Sequence, residues 1–308
     1  MPTVTEDLKS SRPIGAKSLL ATLSLAAAGS LWGTGFLFGK IAFTQMTVSE
    51  NVAFRFLVGG LCLSPILFRR AKRFASRDLW LLAFAGLVGV PVQFLVQFKG
   101  LQLTTVSHAS LMVGTLPMLL ALSSALFLHE RLKWREWGVL SLSAVGAILI
   151  ALSSSRAGHA ASTARGDLLV LVSMIAAVVM ILTTKRLMAE YDPLQVTGAM
   201  IIMGTALLLV WVEVTQPVRF HFSAKAWLAV VAQGVLATTM AYVLWNWGLA
   251  RVPAARAGVF LNMEPLIGAI LGLTFLHESL GPLAILGGAM IIGSAAYFST
   301  RTHAQSRD

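Results

Sequence analysis

Residues Gly100–Leu132 read GLQLTTVSHASLMVGTLPMLLALSSALFLHERL, and residues Gly248–Leu280 read GLARVPAARAGVFLNMEPLIGAILGLTFLHESL. Offset by 148 residues, the two stretches align without a gap and agree at ten of 33 positions. The matches include Gly100/Gly248, Ala109/Ala257, Pro117/Pro265 and the run Phe127-Leu128-His129-Glu130 against Phe275-Leu276-His277-Glu278. Shared apolar composition alone would give roughly three matches and would not repeat Phe-Leu-His-Glu. The chain is internally duplicated. Nearby offsets pair Trp80 with Trp227, Lys40 with Lys185 and Gly59 with Gly204, which extends the repeat over five helices per half. Five is odd, so the second copy must enter a membrane from the opposite face as an inverted repeat. In secondary transporters that symmetry puts a substrate site near the midplane between the halves and supplies two related conformations.

The rest of the chain agrees with a membrane setting. Of 308 residues, 56% are apolar and 12% charged, the latter about half the usual globular share. Such a composition cannot cover a water-facing surface. The apolar residues gather into ten stretches near the roughly 20 residues that cross a bilayer. They run over 18–39, 51–68, 79–98, 104–128, 134–153, 167–186, 194–214, 226–247, 254–276 and 280–299. A β-barrel would impose period-2 polarity, which Leu168 to Leu182 lacks. The fold class is therefore an all-α membrane protein of ten transmembrane helices in two inverted five-helix repeats. Its parts are an N-terminal tail (1–17), a first repeat (18–153), a linker (154–166), a second repeat (167–299) and a C-terminal tail (300–308). The first span reads as a true helix rather than a cleaved signal peptide, because nine more spans follow it. The single cysteine, Cys62, excludes a disulfide scaffold.

The formal charge is +11, from 24 Lys+Arg against 13 Asp+Glu. These basic residues lie mostly between apolar runs, where they act as topology signals rather than a nucleic-acid surface. Setting aside Arg55, which lies inside the second span, one set of alternate connections and tails holds seventeen Lys and Arg and the other six. The positive-inside rule then puts both termini in the cytoplasm, with the chain in the cytoplasmic membrane. The cluster Arg69, Arg70, Lys72 and Arg73 anchors that topology.

Leu31-Trp32-Gly33 with Lys40 at the end of the first helix, Arg55-Phe56 in the second, and the paired Leu-Pro and Glu264-Pro265 helices each ending in Leu-His-Glu resemble the EamA branch of the drug/metabolite transporter superfamily. The resemblance covers about residues 20 to 298. It implies ten helices, two five-helix inverted repeats and movement of small organic metabolites, often amino acids, commonly outward.

Polar groups in hydrocarbon are costly and should face a partner or a wet cavity. Glu264 is the only acidic residue deep in a span, mid-helix before Pro265. That proline lacks an N–H and deprives a carbonyl near residue 261 of its donor. With Asn262 nearby, the loosened turn can bind an ammonium group or a proton, or Glu264 can simply lock helix packing. Lys40 and Arg55, near the ends of the first two spans, can hold a carboxylate in passage. For Lys185 and Arg186, snorkelling to the interface explains the charge. Gln93, Gln97 and His108 on the third and fourth spans, with Asn246 on the eighth, form a hydrogen-bonding set suited to an amphiphilic solute or to interhelical bonding. Trp80, Trp134, Trp137, Trp211 and Trp227 fit the aromatic belt. Trp32 lies too deep for it and can wall a solute path; Tyr242, Trp245 and Trp247 can do likewise, but at the end of their span the aromatic belt accounts for them at least as well. His129-Glu130 and His277-Glu278 would stand about a bilayer apart, which makes them structural caps rather than metal ligands.

No phosphate-binding Gly-x-x-x-x-Gly-Lys-Ser/Thr motif occurs, so no ATP-binding domain is expected in this chain. No intramembrane catalytic pair occurs either. The reading is a secondary transporter without cofactor or metal, acting on a small-molecule substrate. It moves metabolites, most readily amino acids, aromatic and other apolar ones among them, outward by alternating access. A multidrug or organic-cation exporter is the runner-up, since Lys40 and Arg55 disfavour a purely cationic path. A membrane receptor or enzyme is the other class. The partners are the lipid bilayer and the solute, and ten helices suffice for a monomer.

Overall fold

A computed structural model describes residues 16–69, 73–127, 134–156, 163–249 and 259–305. They form ten helical segments, with no strand among the described residues. The unbroken ones are α1 (Ala16–Ala42), α2 (Val48–Arg69), α5 (Trp134–Arg156), α6 (Ala164–Leu187), α7 (Pro193–Thr215) and α10 (Pro282–Gln305). Helix α3 (Ser76–Leu103) contains a π-helical stretch, Val88–Val92. Helix α4 consists of Val106–Val113 and Leu116–Phe127. Helix α8 joins Ala224–Ala232, the π-helical Gln233–Met240 and Ala241–Leu249. Helix α9 begins with a 3₁₀ turn, Val259–Asn262, and continues as Met263–Phe275. Five segments, Leu20–Ala42, Ser76–Leu103, Ala164–Leu187, Pro193–Thr215 and Ala224–Gly248, are long and apolar enough to cross a membrane. The expected start of the ninth span at 254, together with His129, Glu130, Arg251 and Arg256, lies outside the described residues.

Where helices begin at the ends of the bundle, side chains take up the first-turn amides that have no intrahelical partner. Thr105 accepts from His108 N, Thr163 from Gly166 N, and Ser223 from Ala226 N. Asp192 accepts from Leu194 N and Gln195 N, ahead of Pro193 in the first turn of α7.

The halves face each other. Helix α1 packs on α8 and α9, α2 on α7 and α8, α3 on α6 and α7, α4 on α6 and α9, and α5 on α10. Replacing every helix by the one five places along the chain leaves this set of pairs unchanged, as a pseudo-twofold between repeats requires. The irregularities are paired too. An offset of 148 carries the α3 π-stretch onto the second part of the α8 one, and the break in α4 at Gly114 and Thr115 onto Asn262 and Met263. Helices α4 and α9 both restart just before Pro117 and Pro265, where a missing N–H leaves no bond unmade.

This corrects one expectation. Glu264 is not in the middle of a continuous α-helix but in the first turn of the α-helical part of α9, and the turn before it is tightened to 3₁₀ rather than loosened. A short 3₁₀ segment at a helix start shortens the bonds without abandoning them.

Glycines bring the halves to backbone distance. A Cβ on Gly86 of α3 would lie 2.9 Å from Gly204 N and Met200 O of α7, and one on Gly146 of α5 would lie 2.6 Å from Gly287 O of α10. Small residues permit such contact in lipid, where no hydrophobic effect drives helices together.

Candidate functional site

The middle of the bundle joins aromatic rings to two opposite charges. Trp32 of α1 meets Tyr242 of α8 edge-on, with centroids 5.6 Å apart, and Trp245 at 5.3 Å. Gly33 and Gly35 follow Trp32 on α1. A Cβ on Gly33 would meet Glu264 O at 2.7 Å, and one on Gly35 would lie 4.0 Å from both terminal nitrogens of Arg55. Arg55 and Glu264 interact electrostatically with each other and with Tyr242. No ion pair joins Arg55 to a carboxylate among the described residues.

Arg55 is buried, 4% exposed, and held by what the α8 backbone offers. A π-helical register changes which carbonyls are bonded within the helix. The Ala237 carbonyl accepts from Arg55 Nη2 at 3.3 Å, and Thr238 Oγ1 accepts from Nε at 2.9 Å. The guanidinium carbon stands 4.6 Å from the Phe94 ring centre, 5.2 Å from Phe56 and 5.4 Å from Phe98. Each such contact contributes about 1 to 2 kcal/mol when desolvated. One turn nearer the start of α2, Asn51 Nδ2 donates to Gln233 Oε1, whose Nε2 donates to Gly35 O. Three residues of the π-helical stretch, Gln233, Ala237 and Thr238, are thereby tied to α2, and α1 is joined to them through Gly35 O.

The end of the bundle where α1 finishes is closed by a polar network. Lys40 Nζ donates to Thr104 O at 2.5 Å, and Thr104 Oγ1 donates to Asp167 Oδ1 at 2.5 Å. His108 Nδ1 lies 3.1 Å from Asp167 Oδ2. Glu278 accepts from Val106 N, Ser107 N and Ser107 Oγ at 2.7, 2.8 and 2.7 Å, capping α4 from the far end of α9. Beside it, Arg219 donates twice to Glu50, through Nε at 2.8 Å and Nη2 at 2.7 Å. In the connection beyond α7, Arg219 is held above the ordinary guanidinium range, first by those hydrogen bonds and then by the Glu50 charge. At the opposite end, Tyr191 Oη donates to Asp78 Oδ2 at 2.8 Å and accepts from Ala75 N at 3.0 Å.

The expected site residues thus divide. Trp32, Arg55, Tyr242 and Glu264 share the central neighbourhood. Asn246 borders it, donating to Tyr242 O and to Thr197 Oγ1. Gln93 and Gln97 are buried on α3, one turn apart and next to the Phe94 and Phe98 that carry Arg55, and their Oε1 atoms, like Oδ1 of Asn262, have no hydrogen-bond donor among the described residues. Lys40 and His108 belong to the network at the bundle end. The belt tryptophans Trp80, Trp134, Trp137 and Trp211 are exposed. Sequence reasoning did not single out Asp167, Glu50 or Arg219. Asp167 is fully buried 59 residues from His108, and Glu50 meets Arg219 across 169 residues. Their acidic side chains at span ends look like ordinary interfacial residues, and only the lack of any further acid in those helices could have marked them.

Two five-helix halves meeting around a polar and aromatic centre define a multi-pass membrane transporter. The EamA-like transporter family matches residues 19–152 and again 164–300, one match per repeat, and the chain belongs to that family. It is 25% identical over 284 residues to the uncharacterized transporter YetK of Bacillus subtilis (strain 168), covering 90% of this chain and 86% of that one. It is 27% identical over 278 residues to a probable terminal-alkyne amino-acid exporter of Streptantibioticus cattleyicolor, covering 89% and 88%. A solved crystal structure superposes with a TM-score of 0.64 over 92% of this chain and 98% of that chain, at 22% identity, which supports the fold. The chain is a transporter and not an enzyme.

Proposed function

We propose that the chain is a secondary transporter exporting small organic metabolites, amino acids foremost, across the cytoplasmic membrane by alternating access of an inverted repeat. The observation that carries the reading is the convergence of Trp32, Tyr242, Arg55 and Glu264 at the seam between halves. Discontinuous helices in corresponding positions of two repeats point to a transporter's binding site, and the restarts of α4 and α9 stand beside this seam. A relative named as a probable amino-acid exporter supports the solute class and the direction. Both termini lie in the cytoplasm, so the closed network around Lys40, Asp167 and Glu278 faces outward. Lys40, His108, Gln93, Gln97, Asn246 and Asn262 line the remainder of the path.

Proteoliposomes loaded with radiolabelled amino acids or organic cations, with and without a pH gradient, test this. Release of aromatic and apolar amino acids above protein-free vesicles is expected. Flux of organic cations alone would replace the amino-acid reading with multidrug export, a path that the buried Arg55 disfavours.

A further inference from the structure

The centre contains a cationic and an acidic residue that both reach the Gly33–Gly35 stretch of α1, yet no ion pair joins them among the described residues. Arg55 has its Nε and Nη2 occupied by Thr238 and Ala237. Its side chain is further fixed over three phenylalanine rings, so it cannot swing toward Glu264 without losing those contacts. Neither hydrogen bond nor ion pair uses Nη1 among the described residues. Glu264 is half-buried, and no hydrogen bond to its carboxylate is present among the described residues. Two residues away, the Asn262 side-chain carbonyl oxygen is buried without a donor among the described residues. Both residues approach the same short piece of α1, the Arg55 guanidinium at Gly35 and the Glu264 backbone carbonyl at Gly33, and Trp32 between Leu31 and Gly33 packs on Tyr242. Glycine at these positions lets α9 and α8 pack directly onto α1, which brings both residues to the same stretch of that helix.

Buried charges left apart are destabilising unless another group completes them. A group that does so here must offer an acceptor to Nη1 and a donor to Glu264, with an apolar body for the rings. Resting on the proposed amino-acid reading, we propose that the site binds its solute in one polarity: the carboxylate on Arg55, the ammonium on Glu264 and the Asn262 carbonyl, and the side chain against Trp32 and Tyr242. Arg55 and Glu264 then determine specificity as a pair. Charge-assisted hydrogen bonds are stronger than neutral ones, and leaving either charge without its counterpart carries a desolvation penalty. A solute with one charge group must therefore bind at least about tenfold more weakly than the zwitterion with the same ring.

Three probes that share a phenyl ring test this: L-phenylalanine, phenethylamine, which lacks the carboxylate, and 3-phenylpropionate, which lacks the ammonium. Binding to the full-length protein in detergent is read by intrinsic tryptophan fluorescence and by ligand-induced thermal shift. In wild type, phenylalanine should bind at least about tenfold more tightly than either single-charge probe. Arg55→Gln should remove the preference for phenylalanine over phenethylamine. Glu264→Gln should remove its preference over 3-phenylpropionate, each variant sparing the other preference. If a Gln variant does not fold, Arg55→Lys or Glu264→Asp replaces it and should weaken phenylalanine while keeping the order of the probes. Equal loss of all three probes in both variants overturns the polarity, as does a wild type that binds phenethylamine as tightly as phenylalanine; in those cases the amino-acid reading survives wherever phenylalanine binds. Folded wild type that binds none of the three overturns both.

Discussion

At the scale of single residues, Trp32 and Glu278 have opposite fates on replacement. Trp32 packs on two aromatic rings at the centre without a hydrogen bond of its own among the described residues. Trp32→Ala should leave expression and thermal stability within a few degrees of wild type while lowering flux at least about tenfold, measured at equal protein level in vesicles. Glu278 does structural work, accepting from two amides and a hydroxyl at the start of α4. Glu278→Ala leaves those donors unsatisfied and should cost about 1 to 3 kcal/mol, seen as a lower melting temperature in detergent. The depth of Trp32 was legible because an indole so far inside a span has no headgroup to reach. The duplicated Leu-His-Glu ending was legible as a cap, but its partner was not: Ser107 lies 171 residues away, and no local pattern joins them. Separation in sequence also hides Asp167, whose partners are Thr104 in the α3–α4 connection, 63 residues away, and His108 on α4, 59 residues away.

Among the helices, the pattern of apolar runs sufficed for ten segments, and the 148-residue repeat sufficed to divide them into two halves, whereas which helices pack together came only from the structure. The departures from regular helix were only half visible. Pro91 announces a disturbance in α3, whereas the π-stretch Gln233–Met240 contains no proline. Its wider turn is satisfied by Thr238 and Thr239, whose hydroxyls reach back five residues to Gln233 O and Gly234 O, and by the guanidinium of Arg55. Tertiary bonding, not propensity, selects that register. Glycines offer a sharper test of helix packing. Gly86→Val must force α3 away from α7 and should destabilise by about 1 to 3 kcal/mol. By contrast, a Cβ on Gly138 or Gly293 meets nothing within 4 Å. Ala at either of those two positions should be neutral or raise stability by up to about 1 kcal/mol, as expected for a helical glycine. Thermal unfolding of the three variants separates contact from propensity.

For the molecule as a whole, the proposed inverted arrangement predicts that positions 159 and 306 lie on opposite faces of the membrane. Cys62 is exposed and is the only cysteine, so it is first replaced by Ser. Single cysteines placed at 159 and 306 should then react from opposite sides with a membrane-impermeant maleimide, 159 from outside and 306 only after permeabilisation. Labelling of both from one side would refute the ten-span topology. The seam between the halves carries a further consequence for genetics. Where Gly86 meets Gly204 and Gly146 meets Gly287, each partner already has the smallest side chain that exists. A bulky residue at one of these positions cannot be relieved by trimming its opposite number. Second-site revertants of Gly86→Val should therefore never map to Gly204. They should arise instead on outlying faces of α3 and α7, wherever a change lets one whole helix shift against the other.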